Sequence, residues 1–254
     1  MNELSFFSPS NLGLTFIFFA LFAFLIHQIR VARSQERLAG SSSTTGKLLK
    51  IFVAGFLLHQ IALNLLAPTG LFLLETLPPP FLIVPIPFFI LIGILLKVET
   101  KKDLQLMKHL APATLILLHV FRIPIEVILA SYYDADLLPI QMTYHSLNQD
   151  ILIGFLAIPA GILVLMENKL SRPTAFVFHS LGILSLMNII SIVARSIPGP
   201  LQVFENNLLL SFFPGSLIVT VATTAFLLHI FGLKQAKNFP DLFSTKDQGK
   251  MAST

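Results

Sequence analysis

The stretch HVFRIPIEVIL at residues 119–129 places a histidine, an arginine and a glutamate at helical spacing inside an otherwise apolar run. Residues three and four apart share one face of a helix, so His119, Arg122 and Glu126 would form one polar stripe. A guanidinium fork can hold an anionic or phosphate-bearing group, and a carboxylate or imidazole can exchange a proton. Pro124 lies between the two charges and predicts a kink, because proline removes a helical hydrogen-bond donor.

Further polar side chains are expected at a similar depth, in the outer half of the molecule, when depth is counted at about 1.5 Å per helical residue. The candidate ligand-binding cluster then consists of His59, Asn64, His119, Arg122, Glu126, Tyr144, His145, Asn148, Asp150, Asn188 and Arg195. We expect these residues to line an outward-open pocket for a small polar or anionic ligand. One alternative is that Arg122 and Glu126 pair with each other, or with Asp150 and Arg195, only to hold helices together. In the other alternative, the side chains of Arg122 and Glu126 face lipid and extend their charged ends toward the aqueous interface.

Four further histidines lie near the cytoplasmic ends of apolar runs and form a second, inner layer: His27, His109, His179 and His229. Imidazoles at similar depth on separate helices are candidate haem or metal ligands. No acidic residue is expected at their depth to orient them, and neither HxxxH nor HExxH spacing occurs. The alternative is that each is an interfacial histidine hydrogen-bonded to a backbone carbonyl. The sequence therefore identifies no catalytic residue and no definite cofactor.

Several familiar kinds of site are excluded. The chain has no cysteine, so disulfides, thiolate metal sites and iron–sulfur clusters are absent. The segment GSSSTTGK at residues 40–47 has five residues between its glycines instead of the four of a phosphate loop, and Leu48 stands where Ser or Thr would bind magnesium. We interpret that segment as a flexible loop.

The composition indicates a polytopic, all-α membrane protein. Of the 254 residues, 54% are hydrophobic and only 12% charged, whereas soluble domains carry about a quarter charged residues. Strand-type alternation is absent. Seven apolar runs are each near the ~20 residues that cross a bilayer as a helix, at 12–30, 48–66, 80–97, 104–130, 150–166, 174–196 and 208–232. The sequence thus predicts one seven-helix transmembrane domain over residues 1–232 and a short polar cytoplasmic tail over 233–254.

The basic residues predict the orientation. All but Arg122 and Arg195 of the 17 Lys and Arg fall at the first, third and fifth connections or in the C-terminal tail. Because positive charge stays cytoplasmic, the N-terminus is expected outside and the C-terminus inside. The first apolar run lacks a basic n-region and a cleavage site, so we expect it to be a retained span. The net charge of +4 needs no nucleic-acid partner, the expected partner is the lipid bilayer, and the oligomeric state stays open.

Part of the chain resembles a family of uncharacterised bacterial multi-pass integral membrane proteins. The resemblance covers about a third of the chain and rests on Arg122-Ile-Pro124-Ile-Glu126, Pro139-Ile-Gln-Met142-Thr143-Tyr144, Asn148-Gln-Asp150-Ile-Leu152, and the Pro214 and His229 of the last span. The family typically has an acidic residue and glycine where this chain has His145-Ser146. The resemblance implies no activity, but it implies a location in the bacterial cytoplasmic membrane. It also implies that Arg122, Glu126, Asn148 and Asp150 belong to one group.

Three functions follow as hypotheses. The first is binding or transport of a small polar or anionic ligand in the outer pocket. The second is a membrane-embedded enzyme acting on a lipid or lipid-linked substrate, with Glu126, His119 and His145 as acid/base candidates. The third is a haem- or metal-binding protein that uses the inner histidines. A sensor or scaffold role also stays open.

Overall fold

The computed structural model describes residues 8–38, 110–211 and 214–244, with isolated positions between 54 and 93. Every regular element in these residues is helical, which confirms the predicted all-α class for this part of the chain. The α-helices are α1 (Pro9–Leu38), α2 (Pro112–Leu117), α3 (Arg122–Tyr133), α4 (Asp150–Leu165), α5 (Ser171–Ser196) and α6 (Leu217–Asn238). Short 3₁₀ turns cover Leu118–Phe121, Ile140–Met142, Leu209–Ser211 and Pro240–Phe243.

Within the described part of the chain, four helical segments are long and apolar enough to cross a membrane. They are Pro9–Gln28, Pro112–Tyr133, Ser171–Ser196 and Leu217–Asn238. Helix α4 is apolar but has only 16 residues. Nine positions of the predicted span 48–66 are described, all of them helical, but only residue 93 of the predicted span 80–97 is described. The count of seven therefore stays a prediction.

The fourth predicted span begins later than expected. The sequence pattern placed its start at residue 104, but Leu110 and Ala111 are not helical and the helix begins at Pro112. Proline is favoured in the first helical turn, where its missing N–H has no partner to lose. Arg122 lies at the centre of the helical segment Pro112–Tyr133, and its position in the outer half of a membrane stays a prediction.

Within this segment, the backbone tightens into a 3₁₀ turn over Leu118–Phe121 between α2 and α3. Pro124 follows three residues later and cannot donate the hydrogen bond of a regular helix. A 3₁₀ stretch inside a helix is one of the ways the chain accommodates such a break. The helix irregularity predicted at Pro124 is thus present, but it lies one turn earlier, at the 3₁₀ turn that contains His119.

The last helix also differs from its predicted bounds. Helix α6 starts only after the Pro214-Gly215 pair, at Leu217. The helix continues past residue 232 to Asn238, and the following turn buries Phe243. Gln235 donates to the carbonyl of Leu110 at 2.6 Å. The first part of the predicted polar tail is therefore packed against the rest of the chain.

Small residues let α4 pack closely against the helices that carry the polar stripe. A Cβ added at Gly154 would meet Ile123, and one added at Gly161 would meet Leu117. Close helix approach through glycine is typical of membrane helices. The opposite face of α4 exposes large apolar side chains, among them Leu152, Phe155, Leu156, Ile162 and Leu165. This distribution suits a helix with lipid on one side and the bundle on the other.

Candidate functional site

A buried ion pair joins the starts of α3 and α4. The Nη1 of Arg122 donates to Oδ1 of Asp150, and the two residues are 1% and 5% exposed. Ser185 of α5 donates to the same carboxylate oxygen at 2.7 Å. Asp150 therefore collects donors from two other helices, and the pair ties α3, α4 and α5 together.

The other arm of the guanidinium reaches α6. Nη2 of Arg122 lies 2.9 Å from Nε2 of His229. Because arginine is only a donor, this nitrogen must be the acceptor, and the proton of a neutral His229 ring then lies on Nδ1. That Nδ1 is 3.0 Å from Nδ1 of His179, to which it can donate. Asp150, Arg122, His229 and His179 thus form one continuous hydrogen-bonded chain.

A third imidazole completes the group. The ring of His119 stacks on that of His229, with centroids 3.8 Å apart and planes inclined by 10°. Neither ring nitrogen of His119 has a hydrogen-bond partner among the described residues, and His119, His179 and His229 are at most 1% exposed. One nitrogen from each ring lies within 4.8 Å of the others. We call these three residues the histidine centre.

Two glycines make room for the centre where α5 crosses α6. A Cβ added at Gly182 of α5 would overlap the ring of His229, and one added at Gly232 of α6 would overlap the ring of His179. In each helix the glycine follows the histidine by three residues, so both lie on one face. Each helix therefore places its own histidine ring over the glycine of the other helix.

A second polar group lies one turn further along α3. Nδ2 of Asn148 lies 2.8 and 2.9 Å from the two carboxylate oxygens of Glu126, and it also donates to the carbonyl of Met142 at 2.8 Å. The Oδ1 of Asn148 accepts the backbone N–H of Asp150 at the start of α4. Glu126 is 1% exposed. This amide thus links a buried carboxyl group to the connection that precedes α4.

The structure brings together only part of the predicted ligand-binding cluster. His119, Arg122, Glu126, Asn148 and Asp150 belong to the connected groups above. The remaining described members lie at or near the surface. Tyr144 and His145 are exposed, with ring centroids 4.1 Å apart and planes inclined by 38°. Asn188 is exposed and donates to the carbonyl of Leu147, Arg195 is exposed, and His59 is half-buried. Asn64 lies outside the described residues.

The predicted division into outer and inner layers is wrong for His179 and His229, because His229 contacts both Arg122 and His119. The physical reason is the helix bounds. Helix α5 starts at Ser171 and α6 ends at Asn238, so both histidines lie about two turns or more from the helix ends and are deeper than their predicted spans implied. Of the other inner histidines, His27 is exposed on α1 and His109 lies outside the described residues.

The pairing of Arg122 matches one of the alternatives raised by the sequence, since its partner is Asp150 and its side chain is buried instead of facing lipid. His229 connects to the carboxylate of Asp150 only indirectly, through the guanidinium of Arg122. Ser185, Gly182 and Gly232 were missed. The repeated pattern His-x-x-Gly, present at His179 and again at His229, is the sequence signal that could have identified both glycines.

The histidine centre has the composition and dimensions of a metal site. Bonds of about 2.0–2.1 Å at tetrahedral angles place ligand nitrogens about 3.3 Å apart, close to the 3.0 Å between the Nδ1 atoms of His179 and His229. His119 would have to turn out of its stack to join them, and this turn breaks no hydrogen bond among the described residues. A porphyrin does not fit, because the stacked rings of His119 and His229 leave no space for a macrocycle.

No protein-family model, no curated protein and no solved structure matches this chain.

Proposed function

We propose that this chain is a multi-pass membrane protein that binds a divalent transition-metal ion through the histidine centre and carries it across the bilayer. The observation that supports this proposal is the close approach of three buried imidazoles, from α6, α5 and the turn before α3, with one nitrogen of each within 4.8 Å of the others. Imidazole nitrogen suits Zn²⁺, Cu²⁺, Ni²⁺ and Fe²⁺, whereas Mg²⁺ and Ca²⁺ prefer oxygen ligands. Zn²⁺ is the first ion to use in a test of metal binding by the histidine centre.

The charges around the centre favour a cation over the anionic ligand expected from the sequence. The positive charge of Arg122 is already matched by Asp150, and Glu126 adds a second carboxyl group nearby. With neutral imidazoles, these groups sum to zero if Glu126 is protonated and to −1 if it is ionised. An anion would have to compete with Asp150 for the guanidinium, whereas a metal ion would bind the lone pairs of neutral imidazoles.

The alternative of a lipid-modifying enzyme has less support. Its acid/base candidates were Glu126, His119 and His145, but the first two are buried and His145 is exposed. General acid–base catalysis needs the groups within hydrogen-bonding reach of one substrate.

The position of the centre favours transport over a structural role for the metal. His119 and Arg122 lie near the middle of the apolar segment Pro112–Tyr133. Ionisable groups at such a depth commonly mark ion or proton pathways. The proposal also includes the seven spans, the outside N-terminus, the cytoplasmic C-terminus and the bacterial inner membrane, which the distribution of basic residues and the family resemblance support. Reporter fusions at both termini should report opposite compartments, and finding both in one compartment would exclude this topology.

Metal binding can be tested directly on purified protein without a histidine tag. We expect one Zn²⁺ per chain after dialysis against buffered metal, and tetrahedral d–d absorption bands when Co²⁺ replaces Zn²⁺. His179→Ala and His229→Ala should each abolish stoichiometric binding. The exposed His27 and His145 provide matched controls, because alanine there removes an imidazole without touching the centre. A wild-type preparation that binds no metal, or equal loss in the controls, would refute the proposal.

Transport needs a second measurement. Proteoliposomes that contain the protein and a zinc-sensitive dye inside should accumulate Zn²⁺ faster than empty vesicles, and His229→Ala should remove that difference. His145→Ala should retain it. Stoichiometric binding without flux would refute the transport part of the proposal and leave metal binding.

A further inference from the structure

The contact between Arg122 and His229 has an unusual chemistry for a metal ligand. A histidine that binds a metal normally donates its second ring N–H to a carboxylate, a carbonyl or water. Here, Nε2 of His229 faces a guanidinium that can only donate, at 2.9 Å. The ring is therefore held in a form in which Nε2 is an acceptor.

Metal binding by a neutral His229 is incompatible with this contact at either ring nitrogen. If Nε2 binds the ion, Arg122 loses its acceptor because the same lone pair forms the metal bond. If Nδ1 binds the ion, the proton of the neutral ring must lie on Nε2, and two N–H groups then face each other. In both cases Arg122 has to withdraw its Nη2 from His229.

We propose that Arg122 is an internal competitor for the metal ion: its guanidinium occupies His229 when the centre is empty and leaves when a divalent cation arrives. This inference rests on the proposed metal site and adds how its affinity is set. The exchange replaces one positive charge at His229 with another, so the centre keeps a cation in both states. It also lowers the affinity for metal, because the ion must displace a charge-assisted hydrogen bond, and a carrier has to release its cargo.

The structure offers a new partner for the displaced arm. Glu126 lies four residues after Arg122 on the same helix and accepts hydrogen bonds from Asn148. Residues i and i+4 are neighbours on a helix surface, so the freed Nη2 can turn to this carboxylate while Nη1 stays with Asp150. The guanidinium would then compete with Asn148.

Asn148 also holds the carbonyl of Met142 and the first N–H of α4. Its release would loosen the connection between α3 and α4. Metal occupancy at the centre is thereby coupled to a surface segment of the molecule.

The competition can be measured with a variant that keeps the net charge of the site. Arg122→Gln combined with Asp150→Asn removes both members of the ion pair, so a change in Zn²⁺ affinity reports the lost competitor and not a changed field. We expect Zn²⁺ to bind at least tenfold more tightly than to the wild type, with the stoichiometry unchanged. His145→Ala is the control that should leave the affinity the same.

The outcomes separate this inference from the proposed function. If the wild type binds no Zn²⁺, the metal site itself is refuted. If the wild type binds Zn²⁺ through the histidine centre and the folded double variant binds no more tightly, only the competition is refuted. Folding of the variant is checked by size-exclusion chromatography and helical circular dichroism. A variant that fails to fold is replaced by Arg122→Met with Asp150→Leu, which fills the same space without charge.

The predicted coupling between metal binding and the connection from α3 to α4 can be measured separately. Because the chain has no cysteine, Gln149→Cys introduces a single thiol that can carry a nitroxide spin label at an exposed position beside Asn148. Saturating Zn²⁺ should increase the mobility of that label and leave a label at the exposed Lys169→Cys unchanged. Adding Glu126→Gln should suppress the response. Identical spectra with and without Zn²⁺ at position 149, in protein shown to bind the ion, would refute the coupling.

Discussion

Gly182→Ala should damage the histidine centre without altering any of its polar groups. The new Cβ would overlap the ring of His229, whereas ordinary contacts of a Cβ lie at 3.4–4 Å. The overlap involves ring atoms of a buried side chain, which cannot rotate away as the end of a flexible chain can. Either the ring of His229 moves or α5 and α6 separate. Both changes shift a proposed metal ligand by more than the ±0.2 Å that metal–ligand distances tolerate.

Two opposing effects decide the stability of this variant. Alanine improves helix propensity over glycine by about 1 kcal/mol. Overpacking a well-filled interior costs about 1–3 kcal/mol. The free energy of unfolding should therefore fall by about 0–2 kcal/mol, which a folded membrane protein can survive. The affinity for Zn²⁺ should fall by about 100-fold or more, because even changes outside the ligand shell cost 10–100-fold.

The assay is Zn²⁺ affinity together with unfolding in the same detergent. Gly161→Ala is the matched control, because its Cβ would also meet a neighbouring side chain, Leu117, and no histidine atom is among its nearest neighbours. We expect a comparable change in stability in the control with an unchanged affinity. If Gly182→Ala keeps wild-type affinity, the ring of His229 is not a ligand in its observed position. If both variants lose affinity equally, the effect is general loosening of the bundle.

Three further predictions concern the polar contacts. Asp150→Asn should lower the free energy of unfolding by about 3–5 kcal/mol in detergent denaturation, because it leaves the buried Arg122 without a counter-charge, and equal stability of variant and wild type would contradict the pairing. Asn148→Asp should destabilise the protein, because it places a second carboxyl group against Glu126 and removes the donor to the carbonyl of Met142. Adding Glu126→Gln should restore part of the loss by reversing the first hydrogen bond, and a double variant no better than the single one would argue against the contact with Glu126. Tyr132→Phe removes the 2.8 Å hydrogen bond to Asn11 of α1 and should cost about 1 kcal/mol in the same unfolding assay, whereas a neutral effect would mean that the contact adds nothing.

The sequence was sufficient for the contacts that follow from local geometry. Helical spacing placed Arg122 and Glu126 on one face, and the cost of a charge in the membrane favoured a position inside the bundle over one facing lipid. Asp150 lies at the start of α4, where the helix dipole favours a negative charge. The buried group of Arg122, Glu126, Asn148 and Asp150 accordingly forms. Arg195 was expected at the same depth but lies at the exposed end of α5.

What the sequence could not supply was the crossing of α5 with α6. Depth estimates depend on helix ends, and an error of eight residues at the start of one predicted span shifts it by about 12 Å. Such an error placed His229 and Arg122 in different layers. Lateral position is not encoded by hydropathy at all. Only the glycine three residues after each histidine indicates that the two helices approach closely enough for their rings to interlock.

The connected polar groups make more sense as a working site than as a means of holding helices together. A buried ion pair is weak evidence for stability, since well-packed apolar residues of similar volume are often equally stabilising. The structure moreover leaves polar atoms buried and unpartnered among the described residues, namely both ring nitrogens of His119 and Nε of Arg122. Each unsatisfied group costs free energy that a purely structural network would avoid. A cation bound at the histidine centre would take up the lone pair of His119, which has no partner among the described residues without it.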